Sequence, residues 1–247
     1  MRWRVLGADR DFGAAALAFV LRGGGVPLGW RLAHPPLGAA RELPTPVGAA
    51  TLDDGGPEAA EAIWGCGPLE AAERGELAGA SARGVPVLGP PALALPGLVS
   101  VGTFDEGALW AAAAAPNGTL EVYGAGTFLG RIGAPLPGSR FAVALLGAVV
   151  FAAELAAVPV RDALELASRF PGAQGVLEPV ARVGARTFRR DAGHAELRAA
   201  RQQLLEEATS LDEVYGAEDD ARLDARIAAA ALAAAARDAS APEGAHE

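Results

Sequence analysis

Short apolar runs alternate with amphipathic stretches in the N-terminal part of the chain. Runs typical of buried strands lie at residues 2–8, 26–32, 47–52, 62–66 and 84–88. Helices are predicted between most of them, and the proline- and glycine-rich stretch 34–46 is expected to be a loop. Strands that alternate with helices favour a parallel sheet covered on both faces. We therefore predict an α/β domain with a Rossmann-like parallel sheet over residues 1–95.

A second pattern begins after the proline-rich run 89–97. Residues 99–109 predict a short strand, a Gly-Thr turn and the first turn of a helix that continues through the alanines to residue 115. Strand pairs are expected over residues 119–136, followed by apolar and amphipathic helices at 140–157 and 160–169. Together these elements form a predicted second region, residues 96–172.

The last part of the chain is predicted to contain two strands and two helices. The strands are expected at residues 175–182 and 186–189, and the helices at 194–208 and 220–237. The final helix carries a narrow apolar stripe of Leu223, Ile227, Ala230, Ala231 and Ala234, which favours docking on its own domain over docking on a partner. We predict a third domain over residues 173–238 that ends in a helical, acidic tail, and expect disorder over 239–247.

Composition excludes several classes of function. The chain has 247 residues, a net charge of −9, one cysteine and three scattered histidines. The negative charge argues against nucleic acid and anionic membrane partners. Neither a bilayer-spanning run nor a signal peptide is evident, so we expect a cytoplasmic protein. Isolated histidines predict no metal site, and Cys66 is interpreted as a small core residue rather than a nucleophile.

A loop that resembles a cofactor-binding turn follows the first predicted strand. Gly7, Asp9, Asp11 and Gly13 lie where a strand leads into a helix, as in dinucleotide- and nucleotide-sugar-binding domains. The glycine fingerprint is incomplete, and two carboxylates stand at the helix N-terminus where a diphosphate would approach. NAD binding is therefore not expected, and a UDP-sugar remains an alternative.

A second loop has the position of an ATP-binding turn. Gly102, Thr103, Asp105, Glu106 and Gly107 follow a strand, but a working loop would place a lysine and a hydroxyl at its end. The chain contains no lysine at all. The spacing of Thr103 and Glu106 instead matches a capping box, in which the glutamate reaches back to the threonine. We predict a capped helix here and no cofactor.

Taken in order, these segments resemble the Mur ligases, most closely the branch that adds alanine to UDP-N-acetylmuramic acid. The matching segments are Leu6–Ala18 at the sugar-nucleotide loop, Ala80–Leu88 before the ATP loop, Gly102–Gly107 at that loop, Leu136–Phe141, Phe170–Val176, and Arg190–His194. The resemblance covers residues 1–205 and implies a Rossmann-like domain, a reduced remnant of the central ATPase domain, and a truncated C-terminal domain.

The chain departs from the family pattern at the residues that carry out the ligase reaction. The ATP loop lacks its lysine, the segment that carries the magnesium ligands is mostly missing, and of the last motif only Asp191 and His194 are retained. Amide-bond formation through an acyl phosphate needs ATP, magnesium and cationic stabilisation together. The resemblance therefore implies a catalytically inactive relative.

Three hypotheses follow. The first is an inactive scaffold linked to peptidoglycan precursor synthesis, whose partner is a cell-wall synthesis protein or a second copy bound through the C-terminal helix. The second is a UDP-sugar sensor without turnover. The third is an unrelated enzyme that uses Asp191 and His194 as an acid–base pair.

Overall fold

The computed structural model describes residues 3–26, 41–45, 48–52, 60–114, 119–133, 136, 138–173, 176–193, 195–207 and 211–240. The chain divides into two compact units, Met1–Gln174 and Gly175–Glu247, which are described separately below. The boundary predicted at residues 95–96 lies inside the first unit, and the boundary predicted at 172–173 lies close to the division between the units.

The first unit contains nine strands and four helices among its described residues. The strands are β1 (Trp3–Leu6), β2 (Arg41–Thr45), β3 (Gly48–Leu52), β4 (Ala62–Gly65), β5 (Val87–Gly89), β6 (Val99–Thr103), β7 (Trp110–Ala114), β8 (Thr119–Gly124) and β9 (Thr127–Gly133). The helices are α1 (Arg10–Gly23), α2 (Ala71–Ala82), α3 (Ser139–Ala156) and α4 (Val160–Ser168).

Seven of these strands form one mixed sheet. Its order is β1-β4-β5-β6-β7-β8-β9. The first five strands in this order pair in parallel, and β8 and β9 complete the sheet as antiparallel strands. The mostly parallel α/β architecture predicted from the alternating pattern is confirmed. Because β5 pairs with β6, the sheet continues across the proline-rich run between them.

The predicted helix after Thr103 is wrong. Residues 110–114 form strand β7, which pairs in parallel with β6 and antiparallel with β8. Trp110, Ala111 and Ala112 are buried there. Alanine favours helix only weakly, and the sheet pairing available on both sides of this segment overrides that preference.

Two other predictions concern the segment before β4. The expected loop at 34–46 contains strand β2, which pairs with β3 in a separate two-stranded sheet. β3 itself agrees with the predicted strand at 47–52. Most of the predicted strand 26–32 and the helix start expected at 53–58 lie outside the described residues.

The core of the first unit forms around Trp64, whose side chain fits between α1 and α3. A β-carbon at Gly13 on α1 would lie 2.8 Å from Trp64 Cη2, and one at Gly147 on α3 would lie 2.2 Å from Trp64 Cζ2. The two glycines therefore allow both helices to approach the indole closely. By length and composition α3 is the one described helix that could cross a membrane, but 61% of it is buried, as in a core helix.

The second unit contains a small sheet with two helices. Strands β10 (Glu178–Val183), β11 (Arg186–Arg190) and β12 (Glu213–Tyr215) form the sheet in that order, and the helices are α5 (Ala195–Glu207) and α6 (Asp220–Ser240). Strand β12 was not predicted, because three residues within an acidic stretch carry little periodicity.

The apolar stripe of α6 docks within the second unit. Leu223 packs with Phe188 and Tyr215, and Ile227 and Ala230 lie against the same cluster. The prediction that the stripe docks on its own domain is confirmed for these residues. Further along the helix, Ala231 is exposed, so the stripe does not remain buried over its predicted length.

Candidate functional site

The first unit contains a cavity of about 320 Å³ at the carboxyl ends of β4, β5 and β6. Its lining residues are Trp64, Gly65, Cys66, Gly67, Pro68, Pro90, Val101, Thr103, Glu106, Ser139, Arg140, Val143 and Ala144. Ligands of open α/β sheets bind in the crevice outside these strand ends. The cavity brings Thr103 and Glu106, two of the predicted ATP-loop residues, together with the first turn of α3.

The loop after β6 places the Glu106 carboxylate on its own backbone. Oε2 of Glu106 accepts a hydrogen bond of 2.7 Å from the Thr103 N–H and lies 2.4 Å from where a β-carbon of Gly102 would be. The predicted hydrogen bond between the Glu106 side chain and Thr103 is therefore confirmed, although a turn and a strand follow instead of a helix. An anion bound at this N–H would occupy the position of the carboxylate.

The loop after β1 has its first N–H bound in the same way. The Gly7 N–H donates to Oε1 of Glu73 on α2 at 2.9 Å, and Oε2 of Glu73 accepts from the Glu70 N–H at 2.8 Å. Gly7 has a φ of +99°, and a β-carbon there would lie 2.3 Å from the Cys66 carbonyl oxygen. Glycine is thus required for the close approach of this loop to the end of β4.

The side chain of Asp9, the residue before α1, forms no capping hydrogen bond with that helix. The side chain is 1% exposed and forms an ion pair with Arg140 at the start of α3. Its carboxylate also lies against Gly67, where an added β-carbon would be 2.2 Å from Oδ2. Asp11 lies on the first turn of α1, with an Arg10 Nε to Oδ1 distance of 3.8 Å. Gly13, the last residue predicted for the loop, serves the packing of Trp64 described above.

Cys66 lines the cavity but is buried. It is 1% exposed, and its Sγ donates to the carbonyl oxygen of Asp9 at 3.5 Å. Burial, followed by the charge of Asp9, raises the pKa of the thiol well above its ordinary value. A buried thiol with a raised pKa is a poor nucleophile, in agreement with the interpretation of Cys66 as a core residue.

We expect Cys66 to react with a disulfide reagent at least about 100-fold more slowly in the folded protein than in urea, because both access and thiolate formation are suppressed. The rate is measured by the absorbance of thionitrobenzoate released from Ellman's reagent at pH 8. The chain has a single cysteine, so the signal needs no correction. Equal rates in both conditions would contradict the assignment of Cys66 to the core.

Asp191, in the second unit, is held by groups that sequence inspection did not single out. Nη1 of Arg201 on α5 donates to both carboxylate oxygens, at 2.7 and 2.5 Å, and the N–H groups of Leu177 and Gly193 donate at 3.1 and 2.8 Å. The carboxylate is completely buried. His194 lies outside the described residues, so the predicted Asp191–His194 pair stays a prediction.

Among the described residues, no group of three or more histidine, cysteine, aspartate or glutamate side chains is arranged to hold a metal ion. The charged residues that matter in the site were partly missed from the sequence. Glu73 and Arg140 each contact a residue at least 66 positions away, at Gly7 and Asp9. Local spacing carries no signal for contacts of that range.

A scan against protein-family models and a search of curated proteins found no match. Solved structures do match. A murein peptide ligase (Mpl) from Psychrobacter arcticus superposes with a TM-score of 0.52 at 15% identity, covering 84% of this chain and 54% of that one. The UDP-N-acetylmuramate-alanine ligase MurC from Thermotoga maritima gives 0.55 at 10% identity, covering 93% and 64%. The fold is Mur-ligase-like.

The likeness is one of architecture. At identities of 10–15% it shows the fold alone, and the chain spans between about half and two thirds of the length of these two ligases. The Mur-ligase-like fold expected from the order of the sequence motifs is therefore confirmed, while the activity of this chain has to be argued from its own residues.

Proposed function

We propose that this chain is a non-catalytic, cytoplasmic Mur-ligase-like protein that acts by binding, as a scaffold linked to peptidoglycan precursor synthesis. One observation carries the proposal. The two loops that would offer backbone N–H groups to phosphates offer them to carboxylates of the chain itself, with Glu73 on Gly7 and Glu106 on Thr103.

These residues do not fit a bound nucleotide. A phosphate at the Thr103 N–H would have to displace Glu106, and a unit negative charge about 4 Å away from another is repelled by roughly 4 kcal/mol at an effective dielectric near 20. The chain has no lysine to neutralise a phosphate. Arg140, the arginine among the cavity's lining residues, is paired with Asp9. Amide-bond formation through an acyl phosphate has no support in such a site.

The link to peptidoglycan precursors rests on the fold and on the order of the sequence motifs. The solved structures that share the fold are a murein peptide ligase and a UDP-N-acetylmuramate-alanine ligase. A protein that keeps this fold without the ligase chemistry would act in precursor synthesis by binding to an active enzyme. We propose a cell-wall synthesis protein, or a second copy bound through α6, as its partner.

One observation favours the alternative of a UDP-sugar sensor. From the sequence alone, the Asp9 carboxylate would repel a diphosphate at this loop, but its ion pair with Arg140 neutralises that charge. The contact of Glu73 with the Gly7 N–H argues in the other direction, because it occupies the donor that a diphosphate would use. The scaffold is therefore the better supported of the two.

The proposal is tested by thermal unfolding of the full chain with UDP-N-acetylmuramic acid, UDP, and ATP with magnesium, together with an ATP hydrolysis assay. A ligand at 100 times its Kd would add about 2.7 kcal/mol and raise Tm by several degrees. We expect no rise with any of them and no hydrolysis, with an active ligase of the same fold assayed in parallel as a positive control.

Each of the other results has a distinct meaning. A rise in Tm with ATP and magnesium, or measurable hydrolysis, would overturn the non-catalytic proposal. A rise with the two UDP compounds alone would replace the scaffold with the sensor. Substitution of Glu73 by glutamine should then strengthen UDP binding, while the matched change Glu165→Gln on the exposed face of α4 should leave it unchanged.

A further inference from the structure

The cavity at the strand ends is lined by few charged and polar side chains. Two charged side chains line it, Glu106 from the loop after β6 and Arg140 from the start of α3. Two hydroxyl-bearing residues, Thr103 and Ser139, line it as well. The remaining lining residues are apolar or glycine. A ligand would therefore meet a mainly apolar wall with a few polar groups, which is the usual composition of small-molecule sites.

Arg140 does not supply a free positive charge to this cavity. Its guanidinium forms an ion pair with Asp9, whose side chain is 1% exposed. The negative charge of Asp9 beside the guanidinium offsets the positive charge of Arg140. The pair therefore adds no net charge to the cavity.

Glu106 gives the cavity a net negative charge at its exposed rim. Its Oε2 accepts a hydrogen bond from the Thr103 N–H, which is a dipole and not a neutralising cation. Within the described part of the chain, no arginine forms an ion pair with Glu106. The carboxylate is thus held in place at the cavity by a backbone hydrogen bond and keeps its charge for a ligand.

We propose that this cavity binds a small organic cation, a primary amine on an apolar body. The ammonium group pairs with Glu106, and the body lies against Val101, Val143 and Ala144. A volume of about 320 Å³ accommodates a ligand with one ring or a short aliphatic chain. The inference rests on the proposed function, since it needs Glu106 to remain at the Thr103 loop where a nucleotide phosphate would otherwise bind.

The test compares three probes that share a ring and differ in charge: cyclohexylamine, cyclohexanol and cyclohexanecarboxylate. Their Kd values for the full chain are measured at pH 7 by saturation-transfer NMR and isothermal titration calorimetry. We expect the amine to bind about threefold to fivefold more tightly than the alcohol, because its ammonium group forms an ion pair with a carboxylate that is exposed to water. The carboxylate should show no measurable binding.

Two matched variants locate the charge that matters. Glu106→Gln keeps the size of the side chain and removes its charge, and it should weaken amine binding about threefold to fivefold while leaving the alcohol unaffected. Asp105→Asn removes one charge from the same exposed loop but not from the lining, so it should change the Kd of the amine by less than about twofold. Circular dichroism and Tm confirm that both variants are folded.

Several results would overturn the inference. They are equal binding of amine and alcohol, binding of the carboxylate at comparable strength, absence of amine binding at millimolar concentration, or equal losses from the two variants. The proposed function fails by a different result, namely nucleotide binding or hydrolysis in the preceding experiment. A chain that binds neither nucleotides nor amines would contradict the amine site and leave the non-catalytic proposal intact.

Discussion

Replacement of Arg201 by alanine is expected to lower the free energy of unfolding of the second unit by about 3–5 kcal/mol. Arg201 is 2% exposed, and it donates to both oxygens of Asp191, which is fully buried. The variant would leave that carboxylate in the interior, where the N–H groups of Leu177 and Gly193 donate to it. Two neutral donors compensate a buried charge only in part.

The matched control is Arg190→Ala. Arg190 also pairs with an aspartate, Asp220, but the side chains are 41% and 60% exposed. Exposed pairs contribute about 0–1 kcal/mol, so this variant should unfold almost like the wild type. Urea titration followed by hydrogen exchange at the amides of residues 177–190 reports on the second unit. Equal losses from the two variants would contradict a special role for the buried pair.

These hydrogen bonds indicate a structural role for Asp191. The family motif made Asp191 a candidate acid or base. In the structure, its carboxylate links the end of β11 to the residue before β10 and to α5. A carboxylate with this many donors is well suited to holding elements in place. Its use as a proton carrier would require breaking several of those bonds.

The sequence predictions were accurate where an element is determined by residues close to one another in the sequence, and failed where it is determined by distant ones. The strand at 62–65 and the helices at 139–156 and 160–168 were predicted because apolar runs and periodicity are local. The return of Glu106 to Thr103 was predicted because the two residues are three apart. The strand at 110–114 was missed, because an alanine run extends only when partner strands lie on both sides.

The candidate site depends mostly on long-range contacts, so only its loops were found in advance. Glu73 reaches Gly7 across 66 positions, and Arg140 reaches Asp9 across 131. In both cases the sequence identifies a loop that resembles an anion site, but it does not identify the side chain that occupies or neutralises that loop. Only the packing of α2 and α3 against the sheet supplies these partners.

The same glycine-to-alanine change should have opposite effects in two helices of the first unit. Gly75, within α2, has nothing within 4 Å of an added β-carbon, so Gly75→Ala should stabilise the unit by about 0.5–1 kcal/mol through helix propensity. Gly147, within α3, would place its β-carbon 2.2 Å from Cζ2 and 2.7 Å from Cε2 of Trp64.

Trp64 has no room to move away from Gly147. The next part of the same ring faces Gly13 on α1, where an added β-carbon would lie 2.8 Å from Cη2 and 3.1 Å from Cζ3. The indole is 2% exposed and also packs near Phe151, with ring centroids 6.4 Å apart. We therefore expect Gly147→Ala to destabilise the first unit by about 2–3 kcal/mol, since overpacking a dense core outweighs the gain in propensity.

Urea-induced unfolding of both variants, followed by tryptophan fluorescence, measures the two effects against the wild type. An increase in stability for Gly75→Ala with a decrease for Gly147→Ala supports the fit of Trp64 between α1 and α3. If Gly147→Ala were as stable as Gly75→Ala, α3 could not lie this close to the indole. The position of Arg140 at the start of α3, and with it the neutralisation of Asp9, would then have to be revised.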